Sequence, residues 1–445
     1  MCAACGIVTH VPIEEVRGSA PTKFAALKQR DCAVYLGGGM LSMMADNIEH
    51  VITYWVMWTK FHSPALAGFA VVSHWLPFLL LSVYFGALAD RYDCRRVIQA
   101  AQLLFMAVSA CWGVLFLTGT LQVWHACVLL ILHGMAGSLW GPAEQLMLHD
   151  YVGTKELPSA VRLNATARSL GILFGPVVGS ALLLGLGATT GIFVNIAIYL
   201  PLTLFLLVTR YTGHTREEGA AKPRLGLRDA FHTIREVRGD QTIVAMIALG
   251  GLASFFGGAS LQSAMPIFAH DLGASAGTAY GVLLFANGVG GVVGGLLLEV
   301  FDKLKPTVAT AVWTTFGLGA CLFVFALTHL YLLAIVALLV GGVASLASMS
   351  IGQTVVQLLA PPDKRGRVVG VYSMSASGLR VGSGLTVGVL GTAIGVHASL
   401  ALGSAVLGLG ALVVLVYVRR GRKPPADVRQ VVIPLAQPGA AAESL

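Results

Sequence analysis

The chain has 445 residues, of which 56% are hydrophobic and only 11% charged, with a net charge of +8 and a mean hydropathy of +0.78. A soluble domain carries roughly 25% charged residues, so a water-facing globule is excluded. Disorder is excluded by the same apolarity, and seven cysteines are too few to staple a chain of this length. The apolar stretches run for about 20 residues, the helical span of a bilayer, rather than alternating over about 10 as in an outer-membrane barrel.

Residues 1–31 are polar and mixed, without the pattern of a cleaved signal peptide. This segment is expected to be a cytoplasmic tail whose Phe24, Leu27 and Lys28 lie along the membrane surface. Its Cys2 and Cys5 alone do not make a metal site, and no metal or cofactor is expected. Six apolar spans follow, near 33–58, 66–88, 97–118, 123–146, 161–187 and 190–209. A polar gap at 210–240 reads as a cytoplasmic linker, with a surface helix over 227–237. Six more spans lie near 241–268, 275–300, 307–328, 331–359, 368–394 and 398–418, and 419–445 is a second cytoplasmic tail. The expected fold is all-α, with twelve transmembrane helices in two six-helix bundles, 32–209 and 241–418. With both termini in the cytoplasm, 26 of the 29 Lys and Arg lie on the cytoplasmic side, and the external loops hold only Lys60. That is a strong positive-inside bias. It accounts for the basic charge through the anionic inner leaflet, without nucleic acid.

Span 1 carries Asp46, Glu49 and His50. Spacings of three and four residues place all three on one helical face. Two carboxylates this close in low dielectric do not both stay ionised, which suits reversible protonation. Intramembrane charge is costly and marks function, so the three residues are candidates for proton coupling or substrate binding. Arg168 in span 5 and Arg380 in span 11 are basic residues well inside spans. They either neutralise the span 1 acids or attract an anionic substrate. His74, Trp75 and His133 are lone polar or aromatic residues in apolar helices.

Between spans 2 and 3 the chain reads Gly86-Ala-Leu-Ala-Asp90-Arg91-Tyr-Asp-Cys-Arg95-Arg96. Gly86 permits close helix approach, and Asp90 can cap a helix N-terminus in the opposite half. Arg91, Arg95 and Arg96 hold the loop inside and are expected to pair with acids of neighbouring helices. A weak repeat offset by 209 residues matches Gly86 with Gly295, Asp90 with Glu299 and Asp93 with Asp302. Glu299 and Asp302 thus join the gating loop. Span 5 carries Gly171-x-x-x-Gly175-Pro176-x-x-Gly179, a smooth small-residue face that Pro176 is expected to kink. Arg365-Gly366-Arg367 precedes span 11.

These motifs resemble the signature loop and the so-called antiporter signature of the major facilitator superfamily. The loop variant and the Arg365-Gly366-Arg367 stretch are similar to the exporter branch that holds enterobactin and macrolide exporters. An acid at the place of Asp46 is frequent there. The resemblance covers most of 24–418 by scattered motifs. It implies alternating access and proton-coupled export of a small molecule, a siderophore or an amphiphilic drug, by a monomer in a bacterial inner membrane. Import of a siderophore or lipid-like solute is an alternative, and a non-transporting membrane sensor or assembly partner is a different class. There is no nucleotide-binding G-x-x-x-x-G-K-[ST] loop, H-E-x-x-H or G-x-S-x-G in the sequence, so an enzyme or a primary pump has no support.

Overall fold

A computed structural model of the chain describes residues 23–62, 64–214, 233, 235–257, 265, 267–269, 271–272, 278–301, 304–362, 364–385 and 390–420. Both tails, most of the expected 227–237 helix and Asp302 lie outside the described residues. The described regular structure is helical throughout. Span 1 is Arg30–Phe61, span 2 Pro64–Arg91 and span 3 Cys94–Thr118. Spans 4 to 6 run together as Val123–Val208, divided by left-handed φ of 66° at Gly153 and 78° at Gly187. A Cβ would be strained at those two turns. Dihedral angles stay helical at Pro176, and the breaks at Gly153 and Gly187 separate spans 4, 5 and 6. In the second half, spans 7 to 10 are Gln241–Gly257, Thr278–Phe301, Val308–Leu327 and Tyr331–Leu359. Span 11 is interrupted. Arg365–Ser373 passes into a π-turn at Met374–Gly378 and resumes at Arg380–Leu385. Span 12 is Val396–Arg420. Leu184 and Leu332, 86% and 73% exposed, are typical of the apolar outer surface that a bilayer would cover.

Each half packs its own core. In the first, Phe105 stacks on Tyr199 with ring centroids 5.4 Å apart. In the second, Leu249, Val355 and Ala411 are almost fully buried. The span 5 signature packs on span 1. A Cβ on Gly175 would lie 2.4 Å from the Asn47 Cβ, and one on Gly171 would lie 2.7 Å from the Met40 carbonyl oxygen. Gly179 backs on Ile48. Small residues at this spacing therefore set how closely span 5 approaches the helix that carries Asp46 and Glu49.

The two halves meet along two symmetric seams. Span 2 lies on span 11, where a Gly86 Cβ would come within 2.2 Å of the Gly366 carbonyl oxygen. Span 8 lies on span 5, where Gly295 faces the Thr166 hydroxyl and Gly291 faces Ser169. Both seams lie toward the end of the bundle that carries the basic loops, hereafter the basic end.

Candidate functional site

The polar contacts that cross between the halves gather at the basic end. The buried Asp90 carboxylate accepts the Gly366 N–H at 2.6 Å and the Arg367 N–H at 3.0 Å, with the Arg367 Nε at 3.8 Å. These are first-turn amides of span 11, which have no partner inside the helix. Their positive end suits a carboxylate. The repeat-related Glu299 makes the matching contact on span 5, accepting from the Ser159 hydroxyl at 2.5 Å and from the Arg162 Nε at 2.7 Å. Glu299 also accepts the Phe24 N–H at 2.9 Å. The segment Ala25–Lys28 thus turns under the bundle with Ala26 fully buried. Gln357 of span 10 donates to the Gln145 side chain of span 4 at 2.7 Å, also between the halves.

Among the described residues, the arginines of the span 2–3 loop do not pair with acids of neighbouring helices. Arg95 binds Asp93 in its own loop at 2.6 Å and donates to the Thr209 carbonyl at 2.6 Å. Arg96 donates to the Gln99 side chain at 2.8 Å. The Arg91 guanidinium lies 5.7 Å from the Tyr92 ring centre. The loop is therefore braced locally, and its Asp90 carboxylate reaches the other half. Asp93 caps span 3 by accepting the Arg95 N–H at 2.9 Å.

Arg365 places a guanidinium nitrogen 3.1 Å from the His149 Nδ1, beyond the expected end of span 4. Burial, together with the Arg365 charge, pushes the His149 imidazole down to about 4. The sealed arrangement therefore holds a neutral His149 as the acceptor. A free imidazole titrates near 6.5. The contribution of this contact is complete above that value and is lost as the pH falls towards 4. At pH 5 the sealed state is expected to be disfavoured about thirtyfold relative to pH 7.5 on this account alone. Double electron–electron resonance between probes on the 4–5 and 10–11 loops would read the opening, and His149→Gln should remove the share of its pH dependence that this contact supplies.

Deeper in the first half, His133 of span 4 bridges the two span 1 acids. Its Nε2 lies 2.8 Å from the Asp46 Oδ1 and its Nδ1 lies 2.9 Å from the Glu49 Oε1. The other Glu49 oxygen accepts the Ser109 hydroxyl. All of these side chains are buried, so the bridge is a carboxylate–imidazole–carboxylate chain in low dielectric. A proton shared along it relieves the repulsion between the acids. His50 joins the same group. Its Nδ1 lies 4.0 Å from the Asp46 Oδ2, and its ring packs 4.8 Å from His133 and 4.9 Å from His74.

Neither arginine pairs with the span 1 acids, contrary to the first of the two expectations. Arg168 pairs with Glu144 at 3.0 Å and lies 5.2 Å from the Trp140 ring centre. Arg380 lies over Trp75 at 4.5 Å, with a buried Nε that has no hydrogen-bond partner among the described residues. The π-turn at Met374–Gly378 immediately precedes it. Such turns recur where a helix must re-aim a functional side chain. Sequence reasoning brought Asp46, Glu49, His50 and Arg380 to one region. It undervalued His133 and His74, and it missed Glu144 as the partner of Arg168. The signal available for His133 was the need of two buried acids for a cationic neighbour.

With this geometry in hand, the sequence matches the family described as transmembrane secretion effector over residues 21–430. It is 27% identical over 398 residues to the multidrug efflux pump Tap of Mycolicibacterium fortuitum, covering 85% of this chain and 93% of that protein. It is 24% identical over 346 residues to the enterobactin exporter EntS of Citrobacter koseri, covering 76% and 81%. The fold is similar to the crystal structure of the human organic anion transporter MFSD10, with a TM-score of 0.71 at 15% identity over 86% of this chain and 98% of that one.

Proposed function

Because this chain belongs to the transmembrane secretion effector family of major facilitator transporters, we propose that it exports an anionic small molecule, of siderophore or amphiphilic acidic drug type, in exchange for protons. It works as a monomer of twelve crossings with both termini in the cytoplasm of a bacterium. The basic end is then the cytoplasmic end, as the loop charges require, and the seal at Asp90 and Glu299 belongs to the outward-facing state. Protons reach the Asp46–His133–Glu49 chain from outside. Substrate binds from the cytoplasm once the seams part.

The observation that carries the anionic reading is Arg380. It lies against Trp75 with no carboxylate partner among the described residues, while both span 1 acids are already occupied by His133. A guanidinium on an aromatic face, left with free donors, recognises planar or chelating anions. A lipophilic cation would instead need an uncommitted acid. The relatives named as an enterobactin exporter and a multidrug efflux pump fit this range of ligands.

The test is efflux from cells expressing Arg380→Gln or Arg380→Lys, with a catecholate siderophore and ethidium as probes. Hydrogen bonds to a charged group contribute about 1.5–3 kcal/mol. The glutamine variant should therefore lower siderophore efflux efficiency about 10–100-fold, with the lysine variant intermediate and ethidium little affected. Equal loss of both probes would contradict the anionic reading.

A further inference from the structure

Three imidazoles and a carboxylate converge where the sequence led us to expect no metal. One ligand atom each from Asp46, His50, His74 and His133 lies within 4.8 Å of the others. The rings of His50, His74 and His133 pack on one another with centroids 4.8 to 5.6 Å apart. Two buried ring nitrogens, the His50 Nε2 and the His74 Nδ1, have no hydrogen-bond partner among the described residues. Unpartnered imidazole nitrogens in a membrane interior need an explanation.

We propose that Asp46, His50, His74 and His133 form a binding site for a divalent transition-metal cation. Imidazole-rich sites of this kind suit Zn2+, Co2+, Ni2+ or Fe2+ and not Mg2+ or Ca2+, which take oxygen ligands. Tetrahedral ligand atoms around such an ion lie about 3.3 Å apart, from metal–nitrogen bonds of about 2.0–2.1 Å. Closing the cluster from its present spacing takes modest rotation of His50 and His74, both only half-buried. The outer shell is already in place. Glu49 holds the His133 Nδ1, and Ser109 holds Glu49. This is the carboxylate–histidine arrangement that fixes a metal-binding tautomer and presents the other ring nitrogen. The charge also balances. With neutral imidazoles, a divalent ion compensates Asp46 and Glu49 together, leaving neither carboxylate unpaired. The nearest facing cation, Arg380, is drawn aside onto Trp75. When the metal binds, it takes the place of the proton held between the His133 Nε2 and the Asp46 Oδ1.

The site is tested by titrating Co2+ into the full chain, purified in detergent through a histidine-free tag, with visible absorption and calorimetry as readouts. One Co2+ per chain with the d–d bands of a four-coordinate nitrogen–oxygen site is expected. His74→Gln should weaken binding at least about tenfold, and Glu49→Gln, which loosens the outer shell, about 10–100-fold. His397→Gln, whose ring pairs with the distant Asp271, should leave binding unchanged. His50→Gln provides a second ligand deletion should the His74 variant fold poorly. Absence of stoichiometric Co2+, or unchanged affinity in both folded ligand variants, would overturn the site. Binding is read at equilibrium without transport, so its failure and the failure of proton-coupled export are separate results.

Discussion

Asp90→Ala is expected to reduce transport to less than about a tenth of the wild-type level while leaving the protein folded. Its carboxylate is 1% exposed and is the acceptor for the first two amides of span 11. Removing it leaves two buried N–H groups without that acceptor, at about 1–3 kcal/mol each. The penalty falls on the sealed state alone, because parting the seam returns those amides to water. A shift of at least about 2 kcal/mol in an alternating equilibrium changes the population ratio by about 30-fold or more. The transporter would then rest with the basic end open. Asp90→Asn keeps one acceptor oxygen and should fall between. Thiol-reactive labelling of cysteines placed along the span 2–span 11 seam measures the shift directly. Faster labelling in Asp90→Ala is the expected result. Unchanged labelling with lost transport would assign Asp90 a role other than sealing.

Asp46→Asn is expected to uncouple rather than inactivate. The amide preserves a hydrogen bond to the His133 Nε2, whose partner now lies at 2.8 Å, but it cannot ionise. Gradient-driven efflux should drop below about a tenth, whereas substrate exchange without a pH gradient persists, because only the proton cycle is blocked. His133→Leu is the harsher change. It leaves Asp46 and Glu49 buried without their shared partner, and breaking such a network typically costs about 3–5 kcal/mol. Lower expression and a lower thermal midpoint should therefore accompany its loss of transport. Counterflow and uphill efflux, measured on the same proteoliposomes, separate the two effects.

Much of this arrangement was legible because apolar length and repeated short motifs survive in one dimension. Span 9, expected over 307–328, is Val308–Leu327, and span 10 falls at Tyr331–Leu359 as expected over 331–359. The offset of 209 residues led from Asp90 to Glu299, and both carry the seams. What stayed hidden was azimuth. Sequence gives the depth of a charged residue in the bilayer, but not the neighbour it faces across helices. Sequence therefore sets Arg168 against the span 1 acids or an anionic substrate, whereas its partner in the structure is Glu144. His74 and His133, on separate helices, became one cluster with His50 only through packing. The π-turn before Arg380 has no sequence pattern of its own, since Met374–Gly378 reads as ordinary small-residue helix.

The central claim is that protons taken up by the Asp46–His133–Glu49 chain drive the export of an anionic solute. Inverted membrane vesicles with an imposed pH gradient and a fluorescent pH probe test it most directly. Adding a catecholate siderophore should release protons from the wild-type vesicles and none from Asp46→Asn vesicles with equal protein content. Siderophore accumulation without proton release, or identical release by Asp46→Asn, would contradict the account.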